Sequence, residues 1–148
     1  MGFLFSALLL TLLIITSTSC KKVEGCIDAQ AKNYNSYAEV DDGSCTYQGE
    51  VVFWYTEAVS DELINIDLVT SLAYYVGGEL EGSSSSSIYY TTNPNCGDNG
   101  TITVTRELGT SKTKQYAFKV EDPTDGEILW QGTITFEANT CTAYQLKN

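Results

Sequence analysis

The sequence predicts a mainly β protein. Its fold class is a β-sandwich of about seven to eight strands, preceded by a small disulfide-stapled loop module and a signal peptide. Three observations carry this. From Glu50 to Asn148 short runs of β-forming residues alternate with polar ones and are cut by turn residues. From Gly25 to Tyr47 two cysteines bound a stretch rich in Asn and Asp and poor in aliphatic side chains. Ahead of both lies a short apolar run.

The apolar run is Phe3 to Ile15, broken by Ser6 and Thr11. It falls short of the roughly 20 residues that span a bilayer and has the length and place of a signal-peptide core. Small residues follow, Thr16 to Ser19, and then Cys20-Lys21-Lys22. This ending resembles a bacterial lipoprotein signal, and its Ser-Cys-Lys-Lys form resembles lipoproteins of the Bacteroidetes. Ser17 stands where such signals commonly carry Leu, and no Lys or Arg lies near Met1. The resemblance implies cleavage before Cys20 and lipid on its thiol; ordinary cleavage near Ser19 would leave Cys20 a free thiol. The division expected is 1–19 signal peptide, 20–24 lipidated tether, 25–47 cysteine-bounded repeat and 50–148 β-sandwich. Lys21-Lys22-Val23-Glu24 is loosely similar to the charged signal that carries some such lipoproteins to the cell surface.

The next stretch reads GCIDAQAKNYNSYAEVDDGSCTY. Its side chains cannot form a core, its Asn and Asp residues favour turns, and a segment this small needs a staple. Cys26 with Cys45 is the obvious bridge, closing about 20 residues and contributing about 3 kcal/mol by restricting the unfolded chain. The pattern G-C-x-D-x-x-A-x-N-Y-N-x-x-A-x-x-D-D-G-S-C-x-Y resembles a repeat of exported Bacteroidetes proteins, matched here at every fixed position in one copy. Asp28, Asn33, Asn35, Asp41 and Asp42 form a candidate calcium set, since calcium takes oxygen ligands. The stretch is similar to calcium-binding thrombospondin repeats, although the EF-hand pattern is absent. Asx turns and a disulfide account for the same residues without metal.

Gln48-Gly49 reads as a short break, so the repeat should sit close against the sandwich. Strands are expected at Val51 to Tyr55, Leu63 to Val69 (Ile64, Ile66 and Leu68 on one face), Leu72 to Val76, Thr101 to Thr105, Tyr116 to Glu121, around Ile128 and Trp130, around Ile134 and Phe136, and at Thr142 to Leu146. Gly77-Gly78 ends one run, Asn99-Gly100 precedes another, and Pro123 to Gly126 reads as a hairpin loop. No stretch has a convincing helical period. The five serines Ser83 to Ser87 read as loop, and Ile88 to Thr92 as strand. Val51-Val52-Phe53-Trp54, Pro94-Asn95-Cys96-Gly97, Trp130-Gln131-Gly132-Thr133-Ile134-Thr135 and Cys141-Thr142 together resemble a small domain that follows such leaders in Bacteroidetes lipoproteins. That resemblance implies a sandwich and a Cys96–Cys141 disulfide, and no known activity.

Net charge is −11, with five cysteines and no histidine. Acidity of this size disfavours nucleic acid and anionic membrane surfaces and keeps a surface protein soluble. Without histidine there is no Ser-His-Asp triad and no histidine-held zinc or iron. Glu57 with Asp61 or Glu62 is the remaining carboxylate pair of the kind a hydrolase uses. Trp54 and Trp130 are expected in the core; the Tyr74-Tyr75 and Tyr89-Tyr90 pairs should each put one ring outward. The function read from these residues is a non-catalytic, lipid-anchored outer-membrane protein facing the surface or the periplasm, a structural or adhesive accessory module with no cofactor beyond the candidate calcium. The alternatives are a carbohydrate- or peptide-binding module of a nutrient-uptake system and a small carboxylate-dependent hydrolase.

Overall fold

The computed structural model describes residues 21–147, so the signal-peptide core and Cys20 lie outside the described residues. The sandwich is built of two sheets. One has the order β6-β3-β9 and the other β5-β4-β7-β8. β3 (Tyr47–Trp54) is central in the first sheet, antiparallel to β6 (Ile102–Gly109) and parallel to β9 (Cys141–Gln145). In the second sheet β4 (Ser71–Val76) pairs antiparallel with β5 (Glu79–Ser85) and with β7 (Thr113–Glu121), and β7 with β8 (Ile128–Glu137). Two short parallel strands, β1 (Glu24–Gly25) and β2 (Val40–Asp41), belong to the repeat.

Alternation in the sequence decides which faces meet. Val51 and Phe53 from the first sheet, with Tyr55 just past the end of β3, pack with Leu72, Tyr74, Val76, Phe118, Val120, Ile134 and Phe136 from the second. The ring of Phe53 lies 5.7 Å from Tyr74 and 5.4 Å from Phe118, tilted in both contacts as aromatic pairs prefer. The other face of β3 is covered as well: Val52 is 0% and Trp54 7% exposed. The cover is the segment from Ile88 to Gly100. The Tyr90 N–H donates to the Tyr55 carbonyl, the Gly97 N–H donates to the Thr103 hydroxyl beside Val52, and Cys96 is bonded to Cys141. This strap explains why β3 is apolar at every position from Val51 to Trp54, a pattern that belongs to strands buried on both faces.

Several expectations are corrected. Leu63 to Val69 is not a strand. A helix, α1 (Glu57–Asn65), occupies the first part, burying Ser60 and Leu63 one turn apart, with Val59 packed beside them. Ile66 and Leu68, expected to share a face with Ile64, are 72% and 76% exposed. A short apolar run does not separate the two periods; the acidic residue in the first turn, Glu57, and the helix formers around Leu63 favour the helix. Ser83, Ser84 and Ser85 lie in β5, opposite Ala73, Leu72 and Ser71. Gly77 and Gly78, at φ 64° and 88°, form the tight turn that sets this register. The serine hydroxyls and carbonyls find tyrosine partners there: Tyr74 Oη lies 3.2 Å from Ser84 Oγ, and Tyr55 Oη donates to the Ser85 carbonyl. Ser86 is fully buried, and its carbonyl accepts the Ser60 hydroxyl at 2.7 Å. Ile88 to Thr92, expected as a strand, is instead part of the strap. Gln48 and Gly49, expected as a break, lie inside β3, which begins within the repeat at Tyr47.

The register gives the sandwich two distinct ends. Tyr47 lies opposite Gly109 and Thr113 opposite Glu137, so the repeat shares one end with the β6–β7 and β8–β9 turns. Phe53 lies opposite Ile102 and Glu121 opposite Ile128. The far end therefore holds α1, the β7–β8 turn and the last residues, where the Leu146 N–H bonds the Trp54 carbonyl.

Candidate functional site

The repeat is held internally by its disulfide and its Asx turns. Cys26 and Cys45 are bonded, and Cys26, Ala31 and Cys45 join the core cluster of the sandwich. Asp28 Oδ1 accepts the Gln30 N–H, Asn35 Oδ1 the Tyr37 N–H, Asp41 Oδ1 the Gly43 N–H and Asp42 Oδ1 the Ser44 N–H. Asn33 reaches across the module: its Oδ1 accepts the Thr46 N–H at 2.8 Å, and its Nδ2 donates to the Ser44 carbonyl at 2.7 Å. All five candidate calcium residues thus place a side-chain oxygen on a backbone N–H of the module. Among the described residues no group of three or more His, Cys, Asp or Glu side chains is placed to hold a metal ion.

Side-chain contacts then join the module to the sandwich, and the sequence did not reveal them. The Tyr47 hydroxyl donates to Asp28 Oδ2 at 2.8 Å, Lys112 from the β6–β7 turn pairs with the same carboxylate at 2.6 Å, and Lys112 also reaches Gln30. Lys32 pairs with Glu107. Lys112, the Gln30 N–H and the Tyr47 hydroxyl hold Asp28 below its ordinary value of 3.8, at about 2. A depressed folded-state value means that this carboxylate adds stability above pH 4 and loses its contribution as pH falls towards 2. The melting midpoint of the wild type is therefore expected to drop more steeply over that window than that of Asp28→Asn. Parallel curves for the two proteins would show that Asp28 does not hold the module.

Among the described residues, two of the surface cavities bear on the site. One, of about 600 Å³, lies between the repeat and the sandwich, walled by Ala29 to Lys32 and Tyr34 on one side and by Gln48 to Glu50 and Asn139 to Cys141 on the other. The second, of about 330 Å³, lies at the open seam between β8 and β9, lined by Phe118, Trp130, Gln131, Tyr144, Gln145, Leu146 and Lys147. Trp130 is only partly buried, against the expectation that both tryptophans lie in the core. One face of its indole stacks on Tyr55, with centroids 6.3 Å apart, and its Nε1 donates to the Lys147 carbonyl. Tyr144 stands edge-on to Phe118 at 5.1 Å. Sequence reasoning did not single out Tyr144. Its place follows from the parallel pairing of β9 with β3, which no local pattern encodes.

Of the outward tyrosine candidates, Tyr75 is partly exposed beside buried Tyr74, with Lys119 over its ring at 4.3 Å. Tyr89 is exposed and donates to Glu57, and Tyr90 donates to the Asn99 carbonyl. Glu57, Asp61 and Glu62 lie on α1 and line neither cavity.

The chain matches no protein-family model, no curated protein and no solved structure.

Proposed function

We propose that this is a non-catalytic, exported protein of the cell envelope, held to the outer membrane by lipid on Cys20, with the sandwich serving as a structural or adhesive accessory module. The observation that carries this is the fate of the cysteines. Cys26–Cys45 and Cys96–Cys141 take four of the five, leaving only Cys20, which directly follows the signal-like stretch. Two disulfides also fit an oxidising, extracytoplasmic compartment. A chain anchored at Cys20 would have the rigid repeat next to the membrane. The far end would point away, carrying exposed Ile66 and Leu68 beside the acidic α1. Asp28, Asn33, Asn35, Asp41 and Asp42 serve as turn-forming residues of the repeat in this reading. Melting midpoints of the soluble mature form are accordingly expected to coincide in millimolar calcium and in chelator; a clear rise with calcium would restore the metal reading. The reading itself is tested by protease treatment of intact cells. Loss of the sandwich from unbroken cells is the result expected of an adhesive surface module. Protection until lysis would place it in the periplasm and remove adhesion.

A further inference from the structure

We infer that β8 pairs with the β8 of a second copy of this chain, an inference that rests on the adhesive reading above and names its partner. β8 is the last strand of its sheet, and the register shows which of its backbone groups are open. The Gly77 N–H bonds the Ala117 carbonyl, so Ala117 turns towards β4, and its neighbours Tyr116 and Phe118 turn towards β8. Their partners Ile134 and Gly132 turn back to β7. The N–H and carbonyl groups of Gln131, Thr133 and Thr135 alternate with these and point out of the sheet edge.

Natural sheet edges are guarded by charge, proline or a bulge. The opposite side of this sandwich is guarded. There β5 carries Glu79 and Glu81, β6 carries Arg106 and Glu107, and Arg106 ties the two sheets by pairing with Glu81 and donating to the Val76 carbonyl. From Ile128 to Phe136 β8 has no charged residue and no proline, and its register with β7 is unbroken from Trp130 onward. A twofold axis at Thr133 would satisfy the open groups. Thr133 then faces its own equivalent and Gln131 faces Thr135, all as hydrogen-bonded antiparallel pairs with polar side chains together on the outer sheet face. Charge complementarity agrees. The same register carries the second copy's Glu137 to the level of Leu129 and Trp130, and the Trp130 indole is bonded to Lys147, an exposed cation. Each end of the paired strands thus sets Glu137 of one copy near Lys147 of the other. The two sandwiches lie head to tail, as copies reaching from facing surfaces would meet. So short a ladder buries less than the roughly 1,000 Å² of a stable interface, so the pair is weak and reversible.

The test uses the soluble mature protein, taken from micromolar to near-millimolar concentration. Sedimentation of the wild type should show a monomer–dimer equilibrium. Thr133→Pro should stay monomeric with native circular dichroism, because the Thr133 N–H lies outside the ladder with β7. Lys147→Glu should weaken pairing about tenfold, and Lys147→Glu combined with Glu137→Lys should restore it; this exchange decides the matter if the proline variant does not fold. A short bismaleimide should link Thr133→Cys into a product of twice the mass. It should link Gln131→Cys far less, since each Gln131 faces Thr135, and Glu79→Cys on the opposite edge not at all. A wild type that remains monomeric throughout, equal linking of the three cysteine variants, or an exchange that does not restore pairing overturns the inference. So does Thr133→Cys in cells linked to a different protein and never to itself, which would give the edge to that partner. Surface exposure is read separately by protease treatment, so an exposed protein that does not pair loses this partner and keeps its place as an accessory module.

Discussion

Gly49→Ala is expected to lower the stability of the sandwich by about 3 kcal/mol, the upper part of the range for forcing atoms into a packed site. The melting midpoint should fall by about 10 °C in a domain of this size. In an ordinary exposed strand the same change would be neutral or slightly stabilising, because alanine restricts the unfolded chain. Here a Cβ on Gly49 would lie 2.5 Å from the Glu137 carbonyl oxygen and 3.0 Å from the Glu137 nitrogen. Both are backbone atoms, so no side-chain rotation relieves the contact. The β8–β9 corner is also tied to β3 on either side of this point. The Asn139 N–H bonds the Gln48 carbonyl at 2.8 Å, and the Glu50 N–H bonds the Thr140 carbonyl at 2.9 Å. Moving the corner away from Gly49 strains both bonds and the parallel register of β9. Calorimetry of the two proteins checks this; an unchanged or raised midpoint would mean that the strands do not approach as described.

Replacing Cys96 and Cys141 together by serine should cost about 4 kcal/mol through the freedom returned to the unfolded chain, since the bridge spans 45 positions. The effect should be specific as well as large. The bridge fastens the strap that covers Val52 and Trp54, both buried on the outward face of β3. Without it the strap is held by the Tyr90 and Gly97 N–H bonds and by the Tyr89 hydroxyl on Glu57. Trp54 emission should shift to the red and a hydrophobic dye should bind, while far-ultraviolet dichroism stays native. The corresponding pair Cys26→Ser and Cys45→Ser, spanning 19 positions, should cost about 3 kcal/mol and leave Trp54 emission unchanged. A native Trp54 spectrum in the first variant would show that the strap does not depend on its disulfide.

The β-class, the hairpin loop at Pro123 to Gly126 and the inward faces of β7 and β8 were legible because period-two alternation is local. Phe118, Val120, Ile134 and Phe136 point inward as their spacing requires. The repeat was legible from its two cysteines and its Asx residues, which act within a few positions of themselves. Three things were not. α1 starts at Glu57, ahead of the apolar positions that suggested a strand, and its buried residues, Ser60 and Leu63, include one polar side chain. The serine run became β5 because its backbone pairs with β4 and its oxygens meet Tyr55 and Tyr74. Composition is silent on such partners. The seam pocket joins Trp130 to Tyr144 through the parallel placement of β9 beside β3, a contact that depends on the whole topology.

The most direct test is whether Cys20 carries the proposed lipid. Cells expressing the wild type and Cys20→Ala would be fed an alkyne fatty acid, and the protein captured, labelled and fractionated. The account predicts a labelled wild type in the outer-membrane fraction, and an unlabelled Cys20→Ala protein that leaves that fraction with both disulfides intact. An unlabelled wild type, or label that persists in Cys20→Ala, would contradict it.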